Sequence, residues 1–147
     1  MIQIHSDFKE FLKLLNSQSV EYMLIGGYAV GYYGYPRPTG NMDIWIARNK
    51  ENVQKLMGVL MDFGFELSDV SAELFMQPDQ IIRMGVPPLR LEIITSISGR
   101  DFSDCYPRRI VAEIDKIMVS LIGFNDLKEN KKASGRHKDM DDLEKLS

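Results

Sequence analysis

Two oxygen-bearing side chains stand two residues apart in the run NMDIWI at positions 41–46. Polar and apolar residues alternate at the start of this run, as they do in a β-strand that buries one face. The side chains of Asn41 and Asp43 would then lie on the same face, about 6 to 7 Å apart along the backbone. The spacing therefore predicts that two oxygen ligands converge on one place.

A third acid, Glu92, stands in a second alternating run, LRLEI at positions 89–93. The leucines and the isoleucine of this run would face the core, so Glu92 and Arg90 would share the opposite face. If the two strands are neighbours, Glu92 completes a cluster with Asn41 and Asp43. In isolation, Glu92 would be an ordinary solvated strand residue.

Such a cluster suits a hard cation that is bound together with a nucleotide. Mg²⁺ takes oxygen ligands, usually one or two carboxylates together with phosphate oxygens and water. In a two-metal mechanism one ion activates the attacking hydroxyl and the other neutralises the phosphates, so the protein mainly positions both ions. We therefore expect Mg²⁺, or Mn²⁺ in its place, as the cofactor, with Asn41, Asp43 and Glu92 as metal ligands and catalytic residues.

A glycine pair, Gly26 and Gly27, separates a predicted strand from a predicted helix. Glycines at such a junction let the backbone approach an anion closely, with helix amides pointing at it. By itself, however, the pair more often marks a simple tight turn. Tyr28, Tyr32 and Tyr35 follow at helical spacing and could stack a nucleobase, although an aromatic stripe more often packs in a core.

The rest of the sequence predicts helices and strands that alternate along one domain. Helices are expected over residues 6–17 with Ser6 or Asp7 as the N-cap, over 28–33 and 50–63, and in the tail, which is broken at Gly135. Strands are expected over residues 22–25, 42–47, 80–84, 89–95, 109–112 and 117–121, with a helical turn at 101–106. Residues 35–40 contain two prolines and a glycine and are expected to form a loop. The pattern predicts an α/β or α+β fold.

Length and composition limit the class of protein. The 147 residues predict a single domain, 1–147, and a content of 44% hydrophobic and 27% charged residues is typical of globular proteins. No run is apolar and long enough for a membrane span, and the N-terminus lacks the apolar core of a signal peptide, so no membrane partner is expected. A single cysteine, Cys105, without a CxxC motif favours the reducing cytoplasm. The net charge of −3 gives no broad footprint for nucleic acid, and His5 and His137 lack the spacing of a zinc site.

Four separated motifs together resemble a known superfamily. They occupy residues 25–30 (IGGYAV), 34–46 (GYPRPTGNMDIWI), 91–99 (LEIITSISG) and 126–143, in that order. As a set they resemble the signature of the DNA polymerase beta-like nucleotidyltransferases, and more narrowly the small bacterial proteins related to AbiEii-type toxins. The resemblance spans residues 20–146 and implies the polymerase beta-like fold, a mixed sheet of about five strands with flanking helices.

The resemblance also implies roles for individual residues. Asn41 and Asp43 match the family's Asp-x-Asp pair, and Glu92 matches its third acid. Nucleotide contacts are implied for Gly26, Gly27, Arg37, Thr39, Lys131 and Asp139. The chain departs from the family pattern at two positions, because Asn41 is neutral where the family has a carboxylate and Glu92 is one methylene longer than the usual Asp. The missing charge weakens the attraction for Mg²⁺.

These features predict a metal-dependent nucleotidyltransferase that binds a nucleoside triphosphate and transfers a nucleotidyl group to an acceptor, with RNA and protein as candidate acceptors. The alternative is a catalytically degenerate member that binds nucleotides or acts as an interaction module, for example in a toxin-antitoxin system, and Asn41 favours this alternative. Dinucleotide binding by a Rossmann unit fits poorly, because Gly26, Gly27 and Gly31 do not form GxGxxG.

Overall fold

A computed structural model describes residues 3–34, 40–65, 72–86 and 89–146 of the chain. Within these ranges the backbone forms one mixed β-sheet with flanking helices, which is the predicted fold class. None of the helices in the described ranges has both the length and the apolar character needed to cross a membrane.

The sheet has six strands in the order β3-β4-β2-β1-β6-β5. Their bounds are β1 Tyr22–Ile25, β2 Asn41–Ile46, β3 Ile81–Val86, β4 Leu89–Ile94, β5 Ile110–Ile114 and β6 Ile117–Leu121. The central pair β2–β4 and the pair β1–β6 are parallel, whereas β1–β2, β3–β4 and β5–β6 are antiparallel. The parallel pairing of β2 with β4 is the adjacency that the predicted site required.

The resemblance implies about five strands and the sheet has six, which agrees with the six strand ranges predicted from the sequence pattern, and β5 and β6 form a hairpin. The two residues that join them, Asp115 and Lys116, have φ angles of 50° and 70°. Positive φ at both central residues is the signature of the tight turns that connect twisted antiparallel strands. Neither residue is a glycine, so their residue types are only a weak signal for a hairpin turn.

Seven α-helices surround the sheet in the described ranges: α1 Ser6–Ser17, α2 Gly26–Tyr32, α3 Lys50–Phe63, α4 Ala72–Met76, α5 Phe102–Cys105, α6 Phe124–Ser134 and α7 His137–Leu146. The bounds predicted for α1 and α3 are confirmed, and Gly135 separates α6 from α7 in the left-handed conformation, with φ of 67°. The short helix α4 was not expected. The predicted N-cap of α1 was wrong, because His5 precedes the helix and its Nδ1 accepts the Asp7 amide at 3.1 Å.

Strand β2 divides into two parts with different surroundings. Met42, Ile44 and Ile46 have no exposed surface, and Trp45 on the alternate face is also buried. Asn41 and Asp43, which alternate with them, are only partly buried. The first half of β2 therefore has one open face, and that face carries the polar residues that the sequence singled out.

Candidate functional site

The sheet register brings the predicted ligand residues together. In the register of the parallel strands, Asp43 on β2 lies beside Glu92 on β4. Asn41 and Arg90, each two residues earlier on the same strands, also lie beside each other. All of these side chains point to one face of the sheet, because they occupy alternating positions in register. Asn41, Asp43 and Glu92 line a common cleft of about 510 Å³. The prediction that they share one cleft, with Ile44 and Leu91 in the core, is confirmed by the geometry.

Glu92 is surrounded by hydrogen-bond donors. Nδ2 of Asn41 donates to Oε1 of Glu92 at 2.9 Å, and Nη2 of Arg90 lies 3.5 Å from the same oxygen. Nε of Arg83, which pairs with Glu92 across β3 and β4, lies 3.7 Å from it. Asn41 therefore meets Glu92 through its amide nitrogen, an arrangement that positions the carboxylate.

Asp43 has a contrasting environment. Its Oδ1 atom is buried without a hydrogen-bond partner among the described residues. Burial raises the pKa of Asp43 to about 6, the nearby charge of Glu92 adds to the rise, and the positive charges of Lys138 and Lys131 oppose it. A buried carboxylate oxygen without a donor is costly unless a cation or a proton compensates it.

Gly26 makes room for this carboxylate. Its φ of 66° lies in the left-handed region, and a Cβ atom at this position would collide with Oδ2 of Asp43. Because only glycine avoids both problems, the first glycine of the pair is explained by the position of Asp43. Gly27 is buried in the first turn of α2, and it is Gly26 that reaches the cleft wall.

Lys131 and Asp139 form a second charged cluster, between α6 and α7. Nζ of Lys131 lies 3.1 Å from Oδ1 of Asp139 and 3.0 Å from Oδ2 of Asp142. Arg136 donates through Nε to Oδ2 of Asp139 at 2.6 Å. Burial disfavours the charge on Asp139, but hydrogen bonds from Arg136, Ser134 and Lys131 outweigh it and lower its pKa to about 2. Lys131 lines the cleft, whereas Asp139 is 1% exposed and is not among the described residues that line it, so a nucleotide contact stays a prediction for both.

Two of the predicted nucleotide ligands, Arg37 and Thr39, lie outside the described residues, as does Tyr35. Tyr28 packs edge-on against Phe8, with ring centroids 6.3 Å apart, and Tyr32 packs in the same way against Tyr33 at 5.1 Å. Tyr28 packs against the core, which favours packing over base stacking, whereas Tyr32 is 37% exposed and its contact does not decide between the two.

The cleft also contains basic residues that the sequence motifs do not predict. Arg83, Arg136 and Lys138 line the cleft and make its wall more basic than predicted. Arg83 could have been found only from the register of β3 against β4, which depends on the connection after Val86. Lys138 could not have been separated from the other lysines of the tail, since its position depends on how α7 packs against α6.

The donors at the cleft fit a single hard cation better than a closed metal centre. Among the described residues, no three His, Cys, Asp or Glu side chains converge in the manner of a metal site. Two carboxylates, Asp43 and Glu92, pair across β2 and β4, and the unpartnered Oδ1 of Asp43 is the atom that a cation would satisfy. Oxygen donors of this kind suit Mg²⁺ or Mn²⁺, with further ligands supplied by water and phosphate.

A second cavity, of about 430 Å³, adjoins the cleft and shares Ser96 with it. Its walls include an aromatic group formed by Trp45, Phe102 and Tyr106. Trp45 packs edge-on against Phe102 at 5.1 Å, and its Nε1 is buried without a partner among the described residues. This cavity has no carboxylate pair in register, so the cleft is the better candidate for metal and phosphate chemistry.

Comparison with known proteins supports the fold through structure alone. By sequence, the chain matches no family profile and no curated protein significantly. Among solved structures it is similar to a Thermotoga maritima protein whose description as a nucleotidyltransferase is provisional, with a TM-score of 0.65, 13% identity and coverage of 94% of this chain and 88% of the other. It is also similar to an antigenic nucleotidyltransferase-like protein of Paracoccidioides brasiliensis, with a TM-score of 0.55, 20% identity and coverage of 97% and 77%. The chain therefore has the nucleotidyltransferase-like fold.

Proposed function

We propose that this protein binds a nucleoside triphosphate together with a divalent cation and transfers the nucleotidyl group to an acceptor. The observation that carries the proposal is the buried, unpartnered Oδ1 of Asp43, in register with Glu92 at the wall of a basic cleft. The fold of the two solved structures is consistent with this chemistry. The resemblance to AbiEii-related proteins extends the proposal to a toxin-antitoxin setting in the cytoplasm.

In this proposal Asp43 and Glu92 hold the cation, and Asn41 keeps Glu92 in place through its amide. Mg²⁺ or Mn²⁺ would supply charge that neutralises the phosphates and lowers the pKa of the attacking hydroxyl. The acceptor oxygen forms a bond to the α-phosphorus, the bond from this phosphorus to the bridging oxygen breaks, and pyrophosphate leaves while the hydroxyl proton passes to solvent. Lys138 and Arg136, whose side chains are exposed at the cleft wall, would stabilise the negative charge of the phosphates, since preorganised cations cost no reorganisation during the reaction. Lys131 also lines the cleft, but its ammonium is paired with Asp139 and Asp142 and would add only the charge that these two leave unbalanced.

Binding of nucleotide and metal is tested by calorimetry with Mn²⁺ and a non-hydrolysable nucleoside triphosphate. Asp43→Asn should abolish the metal-dependent part of binding, because the amide removes the charge that the cation needs. Asp79→Asn is the matched control: Asp79 lines the same cleft and has φ of 59°, a conformation that asparagine tolerates. Equal affinities for the wild type and Asp43→Asn would contradict the proposal.

A catalytically degenerate binding module is the second candidate, and one observation favours it. Asn41 donates to Glu92 where the family has a further carboxylate, so the cleft has one negative charge fewer for a cation. Asn41→Asp separates the two candidates, because it adds that charge at the same strand position. With labelled nucleoside triphosphates and panels of RNA and protein acceptors, a degenerate module should gain transfer in Asn41→Asp, whereas an adapted enzyme should already label an acceptor as wild type.

A further inference from the structure

Glu92 is in contact with two arginines from neighbouring strand positions. Arg83 faces Glu92 directly across β3 and β4, and Arg90 precedes Glu92 by two residues on the same face of β4. Both arginines approach one oxygen, Oε1, which also accepts the amide of Asn41. One carboxylate therefore lies against two guanidinium groups, of which Arg83 lines the cleft and Arg90 is connected to it through its contact with Glu92.

The contacts leave much of the hydrogen-bonding capacity of these arginines unused. A guanidinium has about five N–H donors and suits anions that it can bind through two of them. Arg83 approaches Glu92 at 3.7 Å, beyond hydrogen-bonding distance, and its side chain is 55% exposed. Nε of Arg90 is buried without a partner among the described residues, and its Nη2 reaches Glu92 only at 3.5 Å. Glu92 therefore holds both guanidinium groups loosely, and each has N–H donors that Glu92 does not use. Those of Arg83 are exposed, whereas the Nε of Arg90 is buried.

We infer that Arg83 and Arg90 form an anion subsite for the phosphate chain of the nucleotide, and that Glu92 competes with this anion for the two arginines. The inference rests on the proposed function, whose cation requires the same Glu92 carboxylate. If Glu92 held a cation, its carboxylate would be drawn away from the arginines, and their donors would become free for phosphate. A phosphate on the arginines in turn frees Glu92 for the cation, since coupling between two bound ligands is reciprocal.

The competition of Glu92 and phosphate for the two arginines explains how a cleft with one carboxylate fewer than the family pattern could still bind a triphosphate. The missing negative charge at Asn41 reduces the capacity for cations, and the two guanidiniums supply fixed positive charge that a second metal ion would otherwise bring to the phosphates. Arginine suits this role because it stays charged and binds phosphate through two donors.

The test measures binding of inorganic triphosphate by calorimetry in the presence of a metal chelator, so that no cation contributes. Glu92→Gln keeps the size of the side chain and removes the charge that holds the arginines. We expect Glu92→Gln to bind triphosphate about tenfold more tightly than the wild type, because charge-assisted contacts become available to the ligand. Asp79→Asn removes the same charge from the same cleft and should change the affinity less than about threefold, as expected for a solvent-screened charge.

Two double variants identify the groups responsible. Arg83→Ala with Glu92→Gln, and Arg90→Ala with Glu92→Gln, should each lose most of the gain, while circular dichroism confirms that they are folded. A remote control, Lys55→Ala with Glu92→Gln, removes a cation that pairs with Glu51 on α3 and should keep the gain. The inference is overturned if Glu92→Gln gains no more than Asp79→Asn, if the arginine variants keep the gain, or if no variant binds triphosphate.

Failure of this inference and failure of the proposed function give different results. If the wild type binds nucleotide with Mn²⁺ and single Arg83→Ala and Arg90→Ala variants bind it equally well, the function stands and the subsite is rejected. If the wild type does not bind nucleotide with Mn²⁺ but Glu92→Gln binds triphosphate through the arginines, the subsite stands and the proposed function is rejected.

Discussion

The cleft is bordered by two charged clusters whose aspartates have opposite pKa shifts. In the helix cluster, made by Lys131, Asp139, Asp142 and Arg136, Asp139 has its pKa lowered to about 2. In the strand cluster, made by Asn41, Asp43 and Glu92, burial and the neighbouring carboxylate raise the pKa of Asp43 to about 6. Asp139 is more deeply buried than Asp43, yet its pKa is the one that is lowered, so burial alone does not explain the difference.

The difference lies in whether the protein supplies the partners. Asp139 accepts from Lys131 and Arg136, so the helix cluster balances its charges internally and links α6 to α7. Asp43 retains a buried oxygen without a donor among the described residues, and its neighbour Glu92 has the same sign of charge. The first arrangement stabilises the fold, and the second is the arrangement expected where a ligand completes the site.

The largest expected effect comes from removing the cation of the helix cluster. Lys131→Met leaves the buried carboxylates of Asp139 and Asp142 without the ammonium that lies about equally close to both. Removing one partner of a buried ion pair typically costs about 3 to 5 kcal/mol in free energy of unfolding. Urea denaturation measures the loss, and Lys138→Met at the exposed cleft wall should cost well under about 1 kcal/mol. Similar small losses for both variants would mean that the helix cluster is not structural.

The second largest loss of stability is expected when a side chain is added at Gly26, where the Asp43 carboxylate of the strand cluster needs the space. Gly26 and Gly135 both have positive φ, at 66° and 67°, but only Gly26 lies against a side chain, that of Asp43. We expect Gly135→Ala to lower the free energy of unfolding by about 1 kcal/mol through backbone strain, and Gly26→Ala by about 2 to 3 kcal/mol. Gly26→Ala should also weaken Mn²⁺ binding because the Asp43 carboxylate is displaced, whereas Gly135→Ala should not. If the two variants lose the same free energy of unfolding and keep the same Mn²⁺ affinity, Gly26 has no special role in positioning Asp43.

The smallest expected effect is a gain in stability, and it comes from Asp43→Asn. Since the folded-state pKa of Asp43 is raised from 3.8 to about 6, folding favours its protonated form, and the ionised form destabilises the protein. Two pKa units correspond to about 3 kcal/mol, but Asp43 is only partly buried and solvent screens part of this energy, so we expect Asp43→Asn to raise the free energy of unfolding at pH 7 by about 1 to 2 kcal/mol. The difference in free energy of unfolding between Asp43→Asn and the wild type should be absent below about pH 4, grow between about pH 4 and 6, and stay constant above about pH 6.

Asp139→Asn, measured by the same denaturation at several pH values, should change the stability in the direction opposite to Asp43→Asn. The lowered pKa of Asp139 contributes stability above the unfolded-state value of 3.8, and this contribution is lost as the pH falls through about 2. Asp139→Asn should therefore destabilise the protein at neutral pH, with the deficit shrinking in acid. If both variants shift stability in the same direction at pH 7, the contrast between the clusters is wrong.

Much of the fold could be predicted because its elements are locally specified. Helix α3 begins after Asn49, whose side chain accepts the Asn52 amide at 2.9 Å, and ends at Gly64 with φ of 101°. Alternation placed Asn41 and Asp43 on one face, and the adjacency of β2 and β4 brought Glu92 to them. The hairpin of β5 and β6 was less evident, since its turn uses Asp115 and Lys116 in place of glycine.

The partners within the site could not be predicted, because they depend on register and helix packing. Residue type does not reveal that Asn41 donates to Glu92, since an amide can offer either a donor or an acceptor. The pairing of Lys131 with Asp142 joins two helices across Gly135, and the position of Arg83 follows from how β3 pairs with β4. The sequence therefore predicted which side chains gather at the cleft better than what each of them contacts there.

Trp45 has an optical consequence because it is the only tryptophan in the chain. It lies two residues beyond Asp43 on β2, is 1% exposed, and packs against Phe102 in the cavity beside the cleft. Selective excitation of the indole therefore reports from a single known location without an attached dye. A red shift of its emission would indicate that water has reached this end of β2, and an unchanged spectrum during ligand titration would indicate that the aromatic packing there stays intact.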